Sequence, residues 1–434
     1  MMGNNKRVKT QRFLPRVIRS RLGGNISALY AVQGLNYVLP LLMLPYLLRV
    51  LGPQSYGIII FTQSLARYAV IVTDFGFTLT ATRAISISRE SEKELAKIFW
   101  STLAAKGVLL LASIVIIIPT IIAIPALKAQ WPTAAASCLL VVGSVAFPEW
   151  YFLGLERMRA IAIIYFVTGL SAFAAVFAFV HSDKDQFLAA AILSGQQLVA
   201  AVISVAMIPL IAPIRTYCPS ARDVAASLRS SWHLFLCSAA GSLYLNSNVF
   251  FLGLFAGSYA VALYSLANKI VLAVFNMFVP LIRAVYPRAS LLFARSRETA
   301  FRLARKFLKI TIPIGVLLSL CIWMYGREAV VILGGNKYLA AIPILRIMCV
   351  LPLLLAVASV ISQIVMINVG LTKSLSRIYI LVGCINLILL PALVTWRGAA
   401  GAAVALVTAE FIGPVLMLYV IHRSGILSNL LFQR

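Results

Sequence analysis

Long apolar stretches alternate along this chain with short polar ones that are mostly basic. Several apolar stretches of about twenty residues or more lack Asp, Glu, Lys and Arg altogether; they are 107–127, 160–180, 187–214, 347–372 and 378–396. A helix of ~20 apolar residues crosses the hydrocarbon core of a bilayer, whereas the strands of a membrane barrel have ~10 residues and alternate in polarity. The pattern therefore predicts transmembrane helices.

Over the whole chain the pattern predicts twelve membrane-spanning helices, called spans one to twelve below. Their predicted bounds are 24–48, 56–82, 98–125, 132–153, 160–180, 187–211, 232–256, 258–285, 308–333, 339–369, 376–396 and 398–421. Residues 232–285 form a continuous apolar stretch, which we divide at Gly257. We expect an all-α integral membrane protein.

Composition excludes a soluble globular protein. The chain is 62% hydrophobic and only 12% charged, with a mean hydropathy of +0.96, whereas ~25% of the residues of an average soluble protein are charged. Lys and Arg number 38 against 12 Asp and Glu, a net charge of +26. In a membrane protein such an excess reflects the positive-inside rule, so no nucleic-acid partner is predicted.

The basic residues are unevenly shared between alternate loops. One set of loops, which includes both termini, contains 28 Lys and Arg residues, and the opposite set contains 6. Because cytoplasmic loops collect Lys and Arg, this distribution predicts that both termini lie in the cytoplasm. It also favours an even number of spans.

Spans one to six resemble spans seven to twelve. Ser55-Tyr56 opens span two and Ser258-Tyr259 opens span eight, and Arg67 and Lys269 follow at nearly the same distance. Six spans is an even number, so the two halves would enter the membrane in the same orientation, related by a pseudo-two-fold axis along the membrane normal. The predicted domains are 1–23 (basic cytoplasmic N-terminus), 24–211 (first six-helix bundle), 212–231 (cytoplasmic linker), 232–421 (second bundle) and 422–434 (cytoplasmic C-terminus).

Spans two and eight carry polar residues within the membrane, where a charge costs at least ~2.5–3.5 kcal/mol. At 100° per residue, Gln63, Arg67 and Asp74 fall within ~40° on one face of span two. A continuous span eight would likewise place Lys269, Asn276 and Arg283 in one ridge. Such ridges predict a polar interior with a central cation in each half, suited to an anionic ligand.

Alternative roles stay open for these polar residues. Arg67 and Asp74 could form ion pairs between helices, and Asn248 could hydrogen-bond either a sugar hydroxyl or another helix. Asp74 or Glu410 could carry a coupling proton, because a buried carboxyl group is protonated more easily unless it is paired. Lys106 could reach a membrane surface by snorkelling.

The sequence lacks the usual signatures of soluble enzymes. It has three histidines without an HExxH motif, no Walker A motif, and six cysteines without metal-ligand spacing. No catalytic site, metal or cofactor is predicted. Transport would then draw on a proton or sodium gradient, or on consumption of the transported substrate.

Three motifs in the N-terminal third resemble the polysaccharide transporter family of the multidrug/oligosaccharidyl-lipid/polysaccharide superfamily. They are NYVLPLLMLPYLLRVLGPQSYG (36–57), DFGFTLTATRAIS (74–86) and PEWYFLGLERM (148–158). The resemblance to these Wzx-type O-antigen and exopolysaccharide flippases implies a multi-pass protein of the bacterial inner membrane. Its substrate would be an undecaprenyl-diphosphate-linked oligosaccharide, and a polymerase and a chain-length regulator would be its partners.

In this family the central cavity is cationic, which implies that Arg67 and Lys269 contact the diphosphate or acidic sugars. Asp74 would then tune or couple transport. A cation-coupled multidrug exporter of the same superfamily is the main alternative. Twelve spans argue against a fourteen-helix exporter of peptidoglycan precursors, and the short periplasmic loops argue against a membrane glycosyltransferase or polymerase.

Overall fold

The computed structural model describes residues 17–211 and 213–425, with side chains from Leu39 onward except for 211, 237, 238 and 240–245. Within these ranges the chain is helical and has no strand. The α-helices are α1 (Val17–Asp74), α2 (Phe77–Ile87), α3 (Glu92–Ala123), α4 (Pro125–Lys128), α5 (Trp131–Ser137), α6 (Leu139–Ala146), α7 (Glu149–Gly154), α8 (Met158–Phe179), α9 (Gln186–Ile211), α10 (Ala221–Phe275), α11 (Val279–Arg295), α12 (Arg297–Gly334), α13 (Ile342–Met348), α14 (Leu351–Ser359) and α15 (Thr372–Arg423).

The predicted class, an all-α integral membrane protein, is confirmed. Eight helices in the described ranges are long and apolar enough to cross a bilayer. A ninth candidate is the pair Asn336–Met348 and Leu351–Met366, which bends by 42° and ends in a π-helix, Val360–Met366. Most residues of the predicted termini, 1–16 and 426–434, lie outside the described residues.

Three helices are too long for a single crossing and are broken near their centres. An unbroken helix of the 58 residues of α1 would extend ~87 Å, against ~30 Å of hydrocarbon. Instead, Gly52 in α1 and Gly257 in α10 take left-handed φ values of 67° and 81°. Glycine adopts this region without steric penalty. A third break lies at Arg397 and Gly398 in α15.

The structure corrects two predicted spans. Span two was expected to continue to residue 82, but α1 ends at Asp74, where Phe75 and Gly76 both have positive φ. Span eight was expected to be one helix over 258–285, but α10 ends at Phe275 and α11 starts only at Val279. Pro280 supplies no N–H donor, which suits the first turn of a new helix.

Buried side chains form one core that joins both halves of the chain and two that belong mainly to one half. The shared core includes Tyr56 and Phe61 of α1 and Tyr264 of α10. The second is built around Trp150 with other residues of the N-terminal half. The third is built around Phe301 with other residues of the C-terminal half. The halves therefore share their largest core where α1 and α10 break, and at the other end they meet again where Phe75 stacks on Phe235 at 4.4 Å.

The segment between the halves is fastened to α3. Lys97 forms an ion pair of 3.1 Å with Asp223, and Glu92 forms one of 2.8 Å with Arg215. Asp223 also forms a capping box with Ser220 at the start of α10. Hydrogen bonds from Ser220, together with Lys97, hold the pKa of Asp223 well below its usual range. Because α10 begins at Ala221, the predicted linker 212–231 is non-helical only over its first part.

Candidate functional site

The N-terminal half encloses a polar cavity of about 310 Å³ within the bundle. Arg67 and Asp74, seven residues apart on α1, both line it, so these two residues do share a helix face. Lys106 of α3 and Glu149 of α7 line the same cavity. The cavity thus gathers two cations and two carboxylates from three helices that are distant in sequence.

Each cavity charge except Arg67 has a defined neighbour. The Thr78 hydroxyl donates to Asp74 Oδ1 at 2.8 Å, and Lys106 Nζ donates to the Ser144 carbonyl oxygen at 2.8 Å. The Glu149 carboxyl interacts with the Tyr165 hydroxyl on α8. Lys106 is only 3% exposed, so it lies inside the bundle instead of snorkelling to a membrane surface. Charge balance explains how these ionisable groups coexist within the membrane.

Lys269 joins the two halves. Its Nζ donates to the Tyr56 hydroxyl at 2.6 Å and lies 5.3 Å from the centre of the Tyr56 ring. Tyr56 is 1% exposed, whereas Lys269 retains an exposed side chain. Nearby, Gly57 approaches the Ser258 carbonyl so closely that an added Cβ would overlap it. Tyr56, Gly57, Ser258 and Lys269 thus form a contact between the two halves, called the seam below. A hydrogen bond to a charged group crosses this seam, at the end where the halves share a core.

Two amides of the predicted site make contacts between helices. The Gln63 side chain donates to Ser194 Oγ at 3.1 Å, which ties α1 to α9. Asn248 is buried and accepts a hydrogen bond from Asn386 Nδ2 at 3.3 Å, which ties α10 to α15. For Asn248, this is the interhelical bond that the sequence left open as an alternative to a sugar contact.

The remaining predicted residues lie apart from the cavity. Asn276 is the C-cap of α10, and Arg283 lies on α11 after the intervening turn; both are exposed. The predicted ridge through Lys269, Asn276 and Arg283 is therefore interrupted. Glu410 of α15 is partly buried and interacts electrostatically with the Tyr264 hydroxyl of α10.

Three residues beside these charges were missed as site candidates by sequence reasoning. Glu149 and Gln197 line the cavity and Tyr56 accepts the hydrogen bond from Lys269, but none of the three was among the predicted site residues. The only signal available was chemical, since Glu149 is a carboxylate at the edge of an apolar segment. Nothing in the sequence indicates that Tyr56 meets Lys269, because the two residues are 213 positions apart.

Solved structures with this fold are membrane transporters. A multidrug resistance MATE family transporter of the MOP superfamily, in an inward-facing conformation, superposes with a TM-score of 0.67 at 14% identity, covering 91% of this chain and 99% of that one. The lipid II flippase MurJ, in an inward closed conformation, superposes with a TM-score of 0.71 at 12% identity, covering 93% and 90%. The chain is a multi-pass helical membrane protein with the fold of these two transporters.

Sequence similarity then places it in a family. The model of the family described as "Polysaccharide biosynthesis protein" matches residues 22–293, and the chain belongs to this family. An Escherichia coli (strain K12) protein described as "Putative O-antigen transporter" is 31% identical over 403 residues, 93% of this chain and 97% of that protein. A Shigella dysenteriae protein of the same description is 30% identical, covering 91% and 98%. The resemblance stated from the three motifs is confirmed.

Proposed function

We propose that this protein is a flippase that moves undecaprenyl-diphosphate-linked oligosaccharide repeat units from the cytoplasmic to the periplasmic leaflet of the bacterial inner membrane, for O-antigen or exopolysaccharide synthesis. The observation that carries the proposal is similarity over nearly the whole chain to two O-antigen transporter relatives. The fold alone does not choose the substrate, because a multidrug transporter and a lipid II flippase share it.

The proposed topology has twelve crossings in two six-helix bundles, with both termini in the cytoplasm. Its support is that the breaks occur at corresponding points of the two halves. Gly52 and Gly257 precede spans two and eight with nearly the same backbone angles, and Gly76 and Phe278 each lie at an interruption further along. Dividing α1, α10 and α15 at their breaks gives six helices of roughly 18 to 36 residues, ~27–54 Å long, each long enough for about one crossing.

In this topology the seam of Tyr56 and Lys269 lies toward the periplasm, because the loops at that end are poor in Lys and Arg. At the opposite end two cores belong mainly to one half each, and opening toward the cytoplasm would have to break the contacts of Phe75 with Phe235 and of Thr80 with Ser231. Alternating access would then require the seam to open. Since Lys269 is both exposed and part of the seam, an anionic group that binds Lys269 competes with Tyr56 and weakens the closure.

The proposed substrate contacts remain Arg67 and Lys269 for the diphosphate or acidic sugars. Gln63, Asn248, Asn276 and Arg283 are the further polar candidates, although the first two already bond other helices. Arg67 shares its cavity with the carboxylates of Asp74 and Glu149, which would repel an anion there. Lys269 is therefore the stronger candidate for an anion, because its only hydrogen-bond acceptor in the described residues is a hydroxyl group.

Coupling to a proton or sodium gradient is a further part of the proposal. Asp74 and Glu410 are the candidates from the sequence, and the cavity adds Glu149 beside Asp74 and Lys106. If Asp74 or Glu149 took up a proton, the positive charges of Lys106 and Arg67 would exceed the remaining negative charge in the cavity. A polymerase and a chain-length regulator are proposed as partners because the transported units must be consumed on the far side.

A cation-coupled multidrug exporter is the alternative, and one observation favours it. The two carboxylates of the N-terminal cavity could attract a cationic compound. Against this, Arg67 and Lys106 already neutralise them within the same cavity. The flippase therefore remains the better supported function.

Deletion of the gene in its host tests the proposal. We expect loss of one surface polysaccharide, with intact lipid-linked repeat units accumulating on the cytoplasmic leaflet. Analysis of the polysaccharide and of the undecaprenyl-linked pool provides the measurement. An unchanged polymer and pool in a host without a second such transporter, together with sensitivity to cationic drugs, would support the exporter instead.

A further inference from the structure

The hairpin of α11 and the first turns of α12 is strongly basic. Residues 279–309 contain eight Lys and Arg residues and a single acid, Glu298. The cations are Arg283, Arg288, Arg295, Arg297, Arg302, Arg305, Lys306 and Lys309. Ser296 separates the two helices and caps α12 through a hydrogen bond from the Thr299 backbone N–H at 3.4 Å.

The corresponding part of the N-terminal half is nearly neutral. Residues 77–104, which form α2 and the start of α3, contain four cations and three acids. Two of those cations are also in ion pairs, Arg89 with Glu156 at 2.8 Å and Lys97 with Asp223 at 3.1 Å. The hairpin thus has a net charge of +7, from eight cations and one acid, against +1 for the corresponding part of the N-terminal half.

The cations of α12 form a continuous exposed ridge. At 100° per residue, Arg302, Lys306 and Lys309 lie within ~60° of one another. This face is opposite the one that buries Ala300 and Ala304 against the core. All three cations are exposed, and Arg302 forms an ion pair of 2.8 Å with Glu298, one turn earlier on the same helix.

The ridge ends where the apolar part of α12 begins. Residues 310–326 contain no charged side chain, and 17 helical residues extend ~26 Å, close to the ~30 Å hydrocarbon core. Lys309 thus lies at the membrane surface. Lys306 and Arg302 follow within about two helical turns, a distance comparable to the depth of the headgroup layer.

The neighbouring helix α11 has the mixed surface of a helix that rests in this layer. Leu281 and Leu291 are 48% and 62% exposed, and Arg288 and Arg295 project from the same flank. Apolar side chains beside long cationic ones favour the boundary between headgroups and acyl chains, where the cations extend to the phosphates.

We infer that the hairpin α11–α12 is a binding site for anionic phospholipids of the cytoplasmic leaflet, specific to the C-terminal half. The ligand chemistry is a singly charged phosphodiester headgroup, such as that of phosphatidylglycerol. Each Lys or Arg near an anionic surface contributes ~1 kcal/mol. The inference does not depend on the flippase function, since it concerns the outer surface of the bundle and not the cavity.

The test uses the purified full-length protein in detergent with added phosphatidylglycerol or phosphatidylcholine, and native mass spectrometry to count bound lipids. We expect the wild type to bind phosphatidylglycerol at least tenfold more tightly than phosphatidylcholine. The triple variant Arg302→Gln, Lys306→Gln, Lys309→Gln should lose about tenfold in affinity for phosphatidylglycerol only.

A matched control removes three exposed cations elsewhere, with Lys128→Gln, Lys184→Gln and Lys337→Gln. It should retain the wild-type preference, and so should the charge-conserving Arg302→Lys variant. Equal loss in the control would overturn the inference, because net charge alone would then explain binding. It would also fail if the wild type showed no preference, or bound a lipid diphosphate at the ridge more tightly than phosphatidylglycerol. Gel filtration of each variant establishes that it is folded.

Discussion

At the scale of single residues, the membrane interior of this protein is organised by pairs of opposite or complementary groups. Lys106 and Arg67 share a cavity with Asp74 and Glu149, and Lys269 is held by Tyr56. Because an isolated charge in the membrane is costly, removing one partner leaves the other uncompensated. Substitutions at these positions should therefore affect function far more than substitutions of exposed charges.

Arg67→Ala and Lys269→Ala should each abolish surface polysaccharide while the protein remains in the membrane at normal abundance. The first leaves two cavity carboxylates facing Lys106 alone, and the second removes the exposed cation of the seam. Gel analysis of the polysaccharide and immunoblotting of membranes measure the two effects, with Lys128→Ala as a control at an exposed loop. Normal polymer from both variants would contradict the proposed anion contacts.

Tyr56→Phe should loosen the seam without removing its ring. The hydroxyl accepts the hydrogen bond from Lys269, and such a bond to a charged group contributes about 1.5–3 kcal/mol. In a cysteine-free background carrying Ser258→Cys, we expect an impermeant maleimide to label the seam several-fold faster in this variant.

Tyr259→Phe is the matched control for the seam, because Tyr259 is 44% exposed and corresponds to Tyr56 in the repeat. Its labelling rate should stay near that of the parent. Equal labelling of all three proteins would show that the hydrogen bond between Tyr56 and Lys269 does not hold the seam closed.

Neutral substitutions can test each candidate coupling carboxylate by itself. Asp74→Asn, Glu149→Gln and Glu410→Gln each remove one titrating group with little change of shape. If one of them couples transport to a gradient, its variant should lose polymer export, or export should no longer respond to an uncoupler. Full, gradient-dependent activity in all three single variants and in the triple variant would exclude membrane carboxylates as the coupling groups.

At the scale of the helices, glycine breaks turn three overlong helices into shorter ones. Gly257 has a φ of 81° and no neighbouring atom within 4 Å of an added Cβ, so its requirement is conformational and not steric. Gly52, with a φ of 67°, provides the corresponding break within the N-terminal half. Helix ends here are set by backbone conformation as much as by hydrophobic length.

Gly257→Ala should therefore destabilise the protein by about 1–3 kcal/mol, the cost of holding a residue with a Cβ at a φ of 81° and a ψ of 173°, which almost only glycine adopts. Gly107→Ala is the matched control, since Gly107 also has open space around it but lies in the regular helix α3. There alanine should stabilise by about 0.5–1 kcal/mol. Thermal unfolding in detergent compares the two; similar shifts in both variants would rule out a conformational role for Gly257.

At the scale of the whole molecule, the proposed orientation follows from charge. Ser296 lies in the basic hairpin and Lys184 in the short turn between α8 and α9. With the six native cysteines replaced, Lys184→Cys should react with an impermeant maleimide in intact cells. Ser296→Cys should react only after permeabilisation, because cytoplasmic loops carry the excess of Lys and Arg. The reverse pattern would invert the topology.

The membrane class and the position of most helices could be predicted from sequence because lipid imposes a simple constraint. Any ~20-residue apolar segment must satisfy its backbone hydrogen bonds internally, so its length and composition suffice to identify it. The sequence likewise predicted that the apolar stretch 232–285 is divided into two helices at Gly257. The interruptions at Phe75 and at Asn276 were not predicted, although Gly76 and Pro280 mark them in the sequence, because one glycine or proline within an apolar stretch does not by itself end a transmembrane helix.

The candidate site could be predicted only in part from the sequence. Helical periodicity placed Arg67 and Asp74 on one face, and both do line one cavity. Periodicity cannot tell which faces meet, so it missed Glu149 and left Lys106 undecided. Nor could it distinguish an amide directed at a ligand from one directed at a neighbour, and Asn248 proved to bond Asn386.

By itself the sequence determined that this chain is a helical membrane transporter of the polysaccharide biosynthesis family, because hydrophobic length, charge asymmetry and local motifs are properties of contiguous residues. Only the tertiary structure decided that Lys106 and Glu149 join Asp74, that Tyr56 holds Lys269, and that α11 and α12 present a cationic ridge. These pairings depend on how distant helices pack, and packing depends on the shape and breaks of every helix together.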